Sequence, residues 1–207
     1  MSTPAHRYWS QNNERLINPK QHEVRTLPTK TDFQFTLDLV QAFFKRPEIQ
    51  QRLQLITQRN ITGWEIWFQV EFACFIDGYK EISEWYREWQ YSADRRRSKT
   101  RQYMAIDFAF RRKRTSKDKY IALEVKQSLN TTQCIHNMFK DVDKVWLMKS
   151  SEDDLRSMWC LGIHPTTSQN DLQSMVEKYS GQYGFELDAK CIHHEEIEDT
   201  AWSFTLL

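Results

Sequence analysis

The residues best suited to chemistry lie in two short stretches, residues 104–110 and 120–126, separated by a basic segment. The first reads MAIDFAF and the second YIALEVK. Because the side chains of a strand alternate between its two faces, each stretch can be sorted by parity. One face collects bulky apolar residues: Ile106, Phe108, Phe110, Ile121, Leu123 and Val125. The other collects three alanines and three charged residues: Ala105, Ala109, Ala122, Asp107, Glu124 and Lys126.

Asp107, Glu124 and Lys126 come close to one another if the two stretches pair as a hairpin across residues 111–119. Two adjacent carboxylates repel each other unless a cation lies between them, and oxygen ligands suit Mg²⁺ or Mn²⁺. A lysine beside such a metal can orient or deprotonate water, or hold developing negative charge. The alternative is a solvent-exposed hairpin with incidental charges. The parity and the small alanines, which leave room beside the backbone, favour a metal site.

A helix predicted over residues 63–76 supplies a further carboxylate. Its apolar centre is formed by Trp64, Trp67, Phe68 and Phe75, and Glu71 falls within that arc. Because a carboxylate is costly to bury without a partner, we expect Glu71 to face the hairpin and join the metal site. The alternative is a buried pair of Glu71 with an arginine or a Trp N–H. Glu65, nearer the edge of the same face, is the second choice for this role.

The remaining pattern predicts a mixed α/β domain around one sheet. Residues 33–44 favour a helix, although they also alternate as a strand does, and Pro47 suits the first position of the next helix. Strands are predicted over 82–91, 102–110, 120–127, 158–164, 185–192 and 202–206. Helices are predicted over 131–148, beginning at a Thr131 or Thr132 cap, and over 171–179.

The predicted organisation is one domain with an N-terminal arm. Residues 1–30 hold three of the five prolines and form the irregular arm. Residues 31–207 form the domain, with a helical part over 31–60, a core over about 60–165 and a C-terminal extension over 166–207.

The order of these residues resembles the PD-(D/E)XK nuclease superfamily, which has the restriction-endonuclease-like fold. Its core is α-β-β-β-α-β, with an acid on the first helix, Asp on the second strand and (D/E)-x-Lys on the third. Glu71, Asp107 and the run Glu124-Val125-Lys126 match, while Ile106 stands where the pattern has Pro. The resemblance implies cleavage of phosphodiester bonds with Mg²⁺ or Mn²⁺. The implied metal ligands are Asp107, Glu124, Glu71 and the Val125 carbonyl, and Lys126 assists the attacking water.

Charge is segregated within a nearly neutral chain. The formal net charge is +1, yet residues 95–119 hold eleven basic and two acidic residues, or +9. Such a segment can follow a phosphate backbone; the alternative is a solvated charged loop. A stripe on the helix over 131–148 adds two lysines. The predicted nucleic-acid contacts are Arg95, Arg96, Arg97, Arg111, Arg112, Lys113, Arg114, Lys140 and Lys144.

Composition narrows the remaining choices. The 207 residues include 28 aromatics, so we expect a folded domain with a large hydrophobic core. The four cysteines are widely separated and are interpreted as buried thiols in a reducing compartment. Cys191, His193 and His194 lack a fourth metal ligand, so we interpret them as structural residues. No leader opens the sequence and no apolar run approaches about 18 residues, so we expect a cytoplasmic protein without membrane contact.

The sequence therefore predicts a metal-dependent nuclease, acting on DNA rather than RNA, in defence against phages and mobile elements, in transposition or in repair. Two alternatives stay open. One is an inactive member of the fold that binds nucleic acid or protein as a structural module; the complete set of two acids and a lysine argues against it. The other is an antibacterial nuclease effector with a cognate partner protein. A protein partner or a homodimer is compatible with the sequence.

Overall fold

The computed structural model describes residues 30–92, 103–115, 119–145 and 155–207. The helices there are α1 (Lys30–Phe44), α2 (Pro47–Gln58), α3 (Glu65–Asp77), α4 (Thr131–Val145) and α5 (Gln169–Tyr183). The strands are β1 (Ile82–Ser92), β2 (Tyr103–Arg112), β3 (Tyr120–Gln127), β4 (Leu155–Pro165), β5 (His193–Glu196) and β6 (Trp202–Leu206). The predicted arm over residues 1–30 lies outside the described residues, apart from Lys30 in α1.

The described strands form one six-stranded sheet in the order β1-β2-β3-β4-β6-β5. β1, β2 and β3 are a meander of antiparallel neighbours, and β4 lies parallel to β3 because α4 carries the chain back across the sheet. β6 pairs antiparallel with both β4 and β5, so the C-terminal extension belongs to the same sheet. The mixed α/β class and the order α-β-β-β-α-β are confirmed. The restriction-endonuclease-like identity stays a prediction.

Helices cover the sheet from both sides. α1, α2 and α3 pack on the face that carries the predicted apolar residues of β2 and β3, where the Phe72 ring meets the Phe108 ring edge-on at 5.2 Å. α4 and α5 pack on the opposite face. α4 approaches β4 closely at Gly162, where an added Cβ would collide with the sulfur of Met138. The charged residues of β2 and β3 therefore lie on the α4 side of the sheet.

Local signals set several helix ends. Pro47 occupies the first turn of α2, as predicted. α4 begins at Thr131, but its cap is Asn130, whose Oδ1 accepts from the Gln133 N–H at 2.9 Å; the predicted Thr131 or Thr132 cap is wrong. The side chain of Ser168 accepts from the Asp171 N–H at 3.1 Å and caps α5.

The strand predicted over residues 185–192 is wrong. α5 continues to Tyr183 and ends at Gly184, which has a φ of 66°. Phe185 packs with the α4 and α5 side chains instead of entering the sheet. Asp188 then accepts from the Lys190 N–H at 2.9 Å and starts the 3₁₀ turn Ala189–Cys191, so the strand begins only at His193.

Three of the four cysteines are buried, and the two histidines near Cys191 have hydrogen-bond partners. Cys134, Cys160 and Cys191 are buried, as predicted, whereas Cys74 is exposed on α3, which corrects that part of the prediction. His193 contacts Glu195 at 2.9 Å, and His194 contacts Thr205 at 3.1 Å. Within the described ranges, no helix is both long enough and apolar enough to cross a membrane.

Candidate active site

The predicted hairpin of β2 and β3 is present and brings Asp107 beside Glu124. Phe108 pairs with Leu123 and Ala109 with Ala122, in antiparallel register. Directly opposite residues of such a pair lie on the same face. Asp107 and Glu124 are the next residues beyond the last pair, and they are close enough for the charge of Asp107 to act on the Glu124 carboxyl group. Asp107 is half-buried, and Glu124 is 7 % exposed. Two carboxylates therefore share a largely buried position on the α4 side of the sheet.

Asp107 is held by hydrogen bonds at both carboxylate oxygens. Its Oδ2 accepts from the main-chain N–H of Val125 at 2.8 Å, which occupies a donor that a neighbouring strand would otherwise satisfy. Its Oδ1 accepts from Nε2 of Gln69 at 3.0 Å. Gln69 is a buried side chain of α3, on the other side of the sheet. Asp107 thus lies at the point where the β2–β3 pairing ends, fixed from a strand and from a helix.

Lys126 joins the two carboxylates from the same strand as Glu124. Its Nζ lies 2.8 Å from Oδ2 of Asp141 and 3.7 Å from Oε2 of Glu124, and it donates to the Val125 carbonyl at 2.9 Å. Burial by itself would lower the pKa of Lys126, but the hydrogen bond and charge of Asp141, together with Glu124 and Asp107, raise it. Lys126 is therefore a charged ammonium among carboxylates.

Glu124 is the carboxylate most affected by its surroundings. Burial raises the pKa of Glu124 well above the usual range for a glutamate, and the negative charge of Asp107 raises it further. The attraction of Lys126 acts in the opposite direction but is smaller. Three carboxylates, those of Asp107, Glu124 and Asp141, thus face one ammonium group, and the cluster favours additional positive charge.

Oxygen donors predominate in this cluster, which bears on the predicted metal. The carboxylates of Asp107 and Glu124 and the carbonyl of Val125 form an all-oxygen set of the kind that Mg²⁺ and Mn²⁺ take. No group of three or more His, Cys, Asp or Glu side chains arranged to hold a metal ion is found in the part of the chain that the structure describes. Of the predicted metal donors, two carboxylates and one main-chain carbonyl lie at this position, and metal binding stays a prediction.

The predicted helix carboxylate, Glu71, lies elsewhere. Glu71 pairs with Arg52 of α2 at 2.6 Å, so its partner is an arginine as in the alternative from the sequence, but the pair is partly exposed instead of buried. The buried residues of α3 are Phe68, Gln69, Phe72, Ala73 and Ile76. Glu71 is two positions from Gln69, or about 200° around the helix, so it faces away from Asp107. The assignment of Glu71 to the site is corrected: α3 reaches Asp107 through an amide.

Glu65, the second choice, lies nearer to the site. Its Oε2 accepts from the main-chain N–H of Gln127 at 3.0 Å, one residue beyond Lys126. Glu65 and Gln69 are one turn apart on α3, so the same side of the helix holds the end of β3 and the carboxylate of β2. Glu65 supports the main chain beside the site, and its bond is to that main chain.

The predicted basic contacts separate into two groups. Arg111 and Arg112 contact other residues of the protein. Arg111 Nε donates to Glu84 at 2.8 Å, and the Arg112 guanidinium lies 4.5 Å from the centre of the Phe35 ring. Lys113, Arg114 and Lys140 are exposed. Arg95, Arg96 and Arg97 lie outside the described residues, as does the side chain of Lys144.

The basic turn lies apart from the carboxylates. Arg111 is four residues from Asp107 along β2, a separation of about 13 Å in an extended strand. Lys140, by contrast, adjoins Asp141 on α4. Lys140 is exposed whereas Asp141 is buried, so the Lys140 side chain points to solvent, and the turn after β2 lies away from the carboxylates along the strand.

Gln69 and Asp141 were not among the site residues predicted from the sequence, and the prediction about the alanines was wrong in part. A carboxylate three residues after Met138 on an otherwise apolar helix face was the available signal for Asp141. The corresponding signal for Gln69 was a polar residue among the apolar residues of α3. Ala105 is exposed, but Ala109 and Ala122 are fully buried, so the open space predicted beside them is absent.

Comparison of the chain with protein-family models, with curated proteins and with solved structures finds no match.

Proposed function

We propose that the protein is a divalent-metal-dependent nuclease that hydrolyses phosphodiester bonds, with DNA favoured over RNA. One observation carries the proposal: two carboxylates on neighbouring strands, Asp107 and Glu124, adjoin an ammonium group, with Lys126 Nζ 3.7 Å from Glu124 Oε2. This set of groups suits the attack of water on a phosphodiester, which needs a stabilised anionic transition state. We also propose that the protein acts in the cytoplasm, in defence against mobile elements, in transposition or in repair.

The residues that would hold Mg²⁺ or Mn²⁺ are Asp107, Glu124 and Val125, the last through its carbonyl. When bound, such an ion supplies a Lewis acid for the phosphate oxygens and activates water. Val125 N–H and Gln69 fix the Asp107 carboxylate through both of its oxygens. Glu124 is largely shielded from bulk water, which strengthens its electrostatic interactions.

Lys126 contributes a positive charge that the protein keeps in place. Its ammonium is held by Asp141 and by the Val125 carbonyl, so it stays beside Glu124 instead of extending into solvent. There it can donate hydrogen bonds to a phosphate oxygen or orient a water molecule for attack. Asp141 acts through Lys126 and is a positioning residue.

The test is a cleavage assay with purified protein on linear DNA, circular DNA and RNA, each with Mg²⁺, Mn²⁺ or EDTA. We expect cleavage with either metal, none with EDTA, and a loss of at least a hundredfold in Asp107→Ala and Lys126→Ala. Glu177→Gln, which changes an exposed carboxylate of α5, is the matched control. Cleavage in EDTA, or full activity in both site variants, contradicts the proposal. A folded wild-type protein that binds nucleic acid and cleaves no substrate supports the binding-module alternative.

A further inference from the structure

Two tyrosine rings, those of Tyr86 and Tyr120, lie on the same face of the sheet as the candidate active site, and the ring of Trp89 contacts both. The Tyr86 and Trp89 rings of β1 lie 4.6 Å apart, and the Tyr120 ring of β3 lies 4.4 Å from Trp89 and 5.9 Å from Tyr86. We call Tyr86, Trp89 and Tyr120 the aromatic surface. Tyr86 lies directly opposite Ala109, which is two residues from Asp107 on β2. The aromatic surface therefore borders the carboxylate cluster along the sheet.

Tyr86 is the ring of the aromatic surface that lies nearest to the carboxylates. From Asp107 to Tyr86 the path is two residues along a strand and one strand across, or about 8 Å between main-chain positions. Tyr120 precedes Glu124 by four residues on β3, or about 13 Å, and points to the same side. A phosphodiester at the carboxylates would thus have its neighbouring nucleotides within reach of these rings.

Hydrogen bonds and ring contacts hold the aromatic surface in place. Glu84 accepts hydrogen bonds from Arg111 at 2.8 Å and from the hydroxyl of Tyr120, and this fixes the Tyr120 ring. Trp89 packs edge-on against Tyr120 at 84°. Tyr86 completes the group and is 44 % exposed, on the outermost strand of the described sheet. A rigid exposed ring loses little conformational entropy when another flat group stacks on it.

The charge beside the aromatic surface suits a polyanion. The turn between β2 and β3 leads directly into Tyr120, and Lys113, Arg114 and Lys119 are exposed there. Across residues 111–119 the sequence has six basic residues and one acidic residue. Stacking rings beside exposed cations are how proteins bind unpaired nucleotides, because every base has a flat face and every link has a phosphate.

We propose that the aromatic surface stacks on an unpaired base next to the cleavage position, so that the substrate is single-stranded or has a single-stranded segment there. This inference rests on the proposed nuclease function. In a duplex, the base faces are covered by neighbouring bases, so a ring standing beside the carboxylates can stack only on a base that has left the helix. Tyr86 makes the main contact because its ring is the most exposed of the three.

The test measures binding separately from cleavage. The anisotropy of a labelled 12-nucleotide single strand and of a duplex of the same length is measured in EDTA, with wild-type protein, Tyr86→Ala, Tyr86→Phe and Leu55→Ala. Leu55 is the matched control, because it is a similarly exposed apolar residue, at 47 %, on α2. We expect Tyr86→Ala to weaken single-strand binding by roughly five- to a hundredfold, the range of one base–aromatic stack. Tyr86→Phe, Leu55→Ala and all duplex affinities should change less than twofold.

Three results overturn the inference: no single-strand binding by the wild type, an equal loss for single strand and duplex in Tyr86→Ala, or a loss no larger than that of Leu55→Ala. A wild-type dimer that Tyr86→Ala converts to a monomer in sedimentation also overturns it, because the aromatic surface is then a self-interface. If the wild type cleaves with Mg²⁺ while Tyr86→Ala binds normally, the stacking inference fails and the nuclease proposal stands. If binding depends on Tyr86 but no substrate is cleaved, the aromatic surface binds single strands and the nuclease proposal fails.

Discussion

Asp141 of α4 lies 2.8 Å from the ammonium of Lys126 on β3, closer than Glu124 does at 3.7 Å. Asp141 is 2 % exposed, so its charge is balanced inside the protein. The helix that connects the two parallel strands β3 and β4 therefore supplies the counter-ion for a lysine of β3. Any shift of α4 relative to β3 moves the Lys126 ammonium relative to the two carboxylates of the site.

Asp141→Asn is expected to lower both stability and cleavage. Removing one partner of a fully buried ion pair costs about 3–5 kcal/mol, but Lys126 is 20 % exposed and retains Glu124, so we expect about 2 kcal/mol. Cleavage should fall roughly ten- to a hundredfold, as for other residues that orient a site group. Chemical denaturation and cleavage rates measure the two effects.

A double-mutant cycle separates positioning from structural support. If Asp141 acts through Lys126, adding Asp141→Asn to Lys126→Met should cause little further loss of cleavage. Asp143→Asn, an exposed change on the same helix, is the control for α4 itself. Additive losses in the double variant would show that Asp141 acts independently of the lysine.

Gln69→Leu is expected to reduce cleavage roughly tenfold and to lower stability by about 1–3 kcal/mol, because the Asp107 carboxylate loses a donor. The substitution removes the donor to Asp107 Oδ1 while filling a similar volume in an apolar region. Glu71→Gln should leave cleavage unchanged, since its partner is Arg52 on α2. Melting curves and metal-titrated cleavage rates on both variants give the comparison. A large loss in Glu71→Gln, with none in Gln69→Leu, would restore the assignment made from the sequence.

The contrast between strand and helix explains what the sequence could predict. A strand has a period of two, so parity alone sorted Asp107, Glu124 and Lys126 onto one face, and the pairs Phe108–Leu123 and Ala109–Ala122 agree with that sorting. α3 gave no such sorting because it is apolar on both its buried and its exposed side, where Ile66 and Val70 face solvent. When a helix has no polar side, its helical wheel does not define the centre of the buried face. The prediction that Glu71 lies at that centre was therefore wrong.

α1 shows the same limit in another form. Phe33, Phe35, Leu37 and Leu39 are all buried although they lie on different sides of the helix. Burial on several sides produced the alternation that resembles a strand. The position of Asp141 beside Lys126 could not be predicted from a local pattern, because it depends on where α4 crosses β3. That position follows from tertiary packing at Gly162, which no local pattern encodes.

Exposed Lys140 and Arg112, which contacts the Phe35 ring, should differ in their effect on nucleic-acid binding. Lys140→Ala is expected to reduce the slope of log K against log[salt] by about 0.7–0.9, the value for one phosphate contact. Arg112→Ala should leave the slope unchanged and lower stability by about 0.5–1 kcal/mol, because its guanidinium lies on the Phe35 ring. Lys178→Ala on α5 is the control. Binding isotherms at several salt concentrations distinguish the two classes, and an unchanged slope in Lys140→Ala would remove that residue from the interface.

His164 is expected to make the protein less stable below pH 6.5. Its ring is fully buried between Thr205 and the Pro165 carbonyl, 5.6 Å from the stacked His194 ring. Burial lowers the pKa of His164 from 6.5 to about 4. Between these values the unfolded chain takes up a proton that the folded protein does not, so the free energy of unfolding falls as the pH falls.

The loss attributable to His164 should be about 2 kcal/mol at pH 5 relative to pH 7.5, and it should stop growing below about pH 4, where both states are protonated. The lowered pKa of His194, which is caused first by burial, acts in the same direction. Denaturant unfolding across about pH 4–8 measures the slope. His164→Gln should be less stable than the wild type at neutral pH, because it disturbs the Thr205 contact, yet its stability should decline less on acidification. An identical decline in both proteins would show that His164 titrates normally in the folded state.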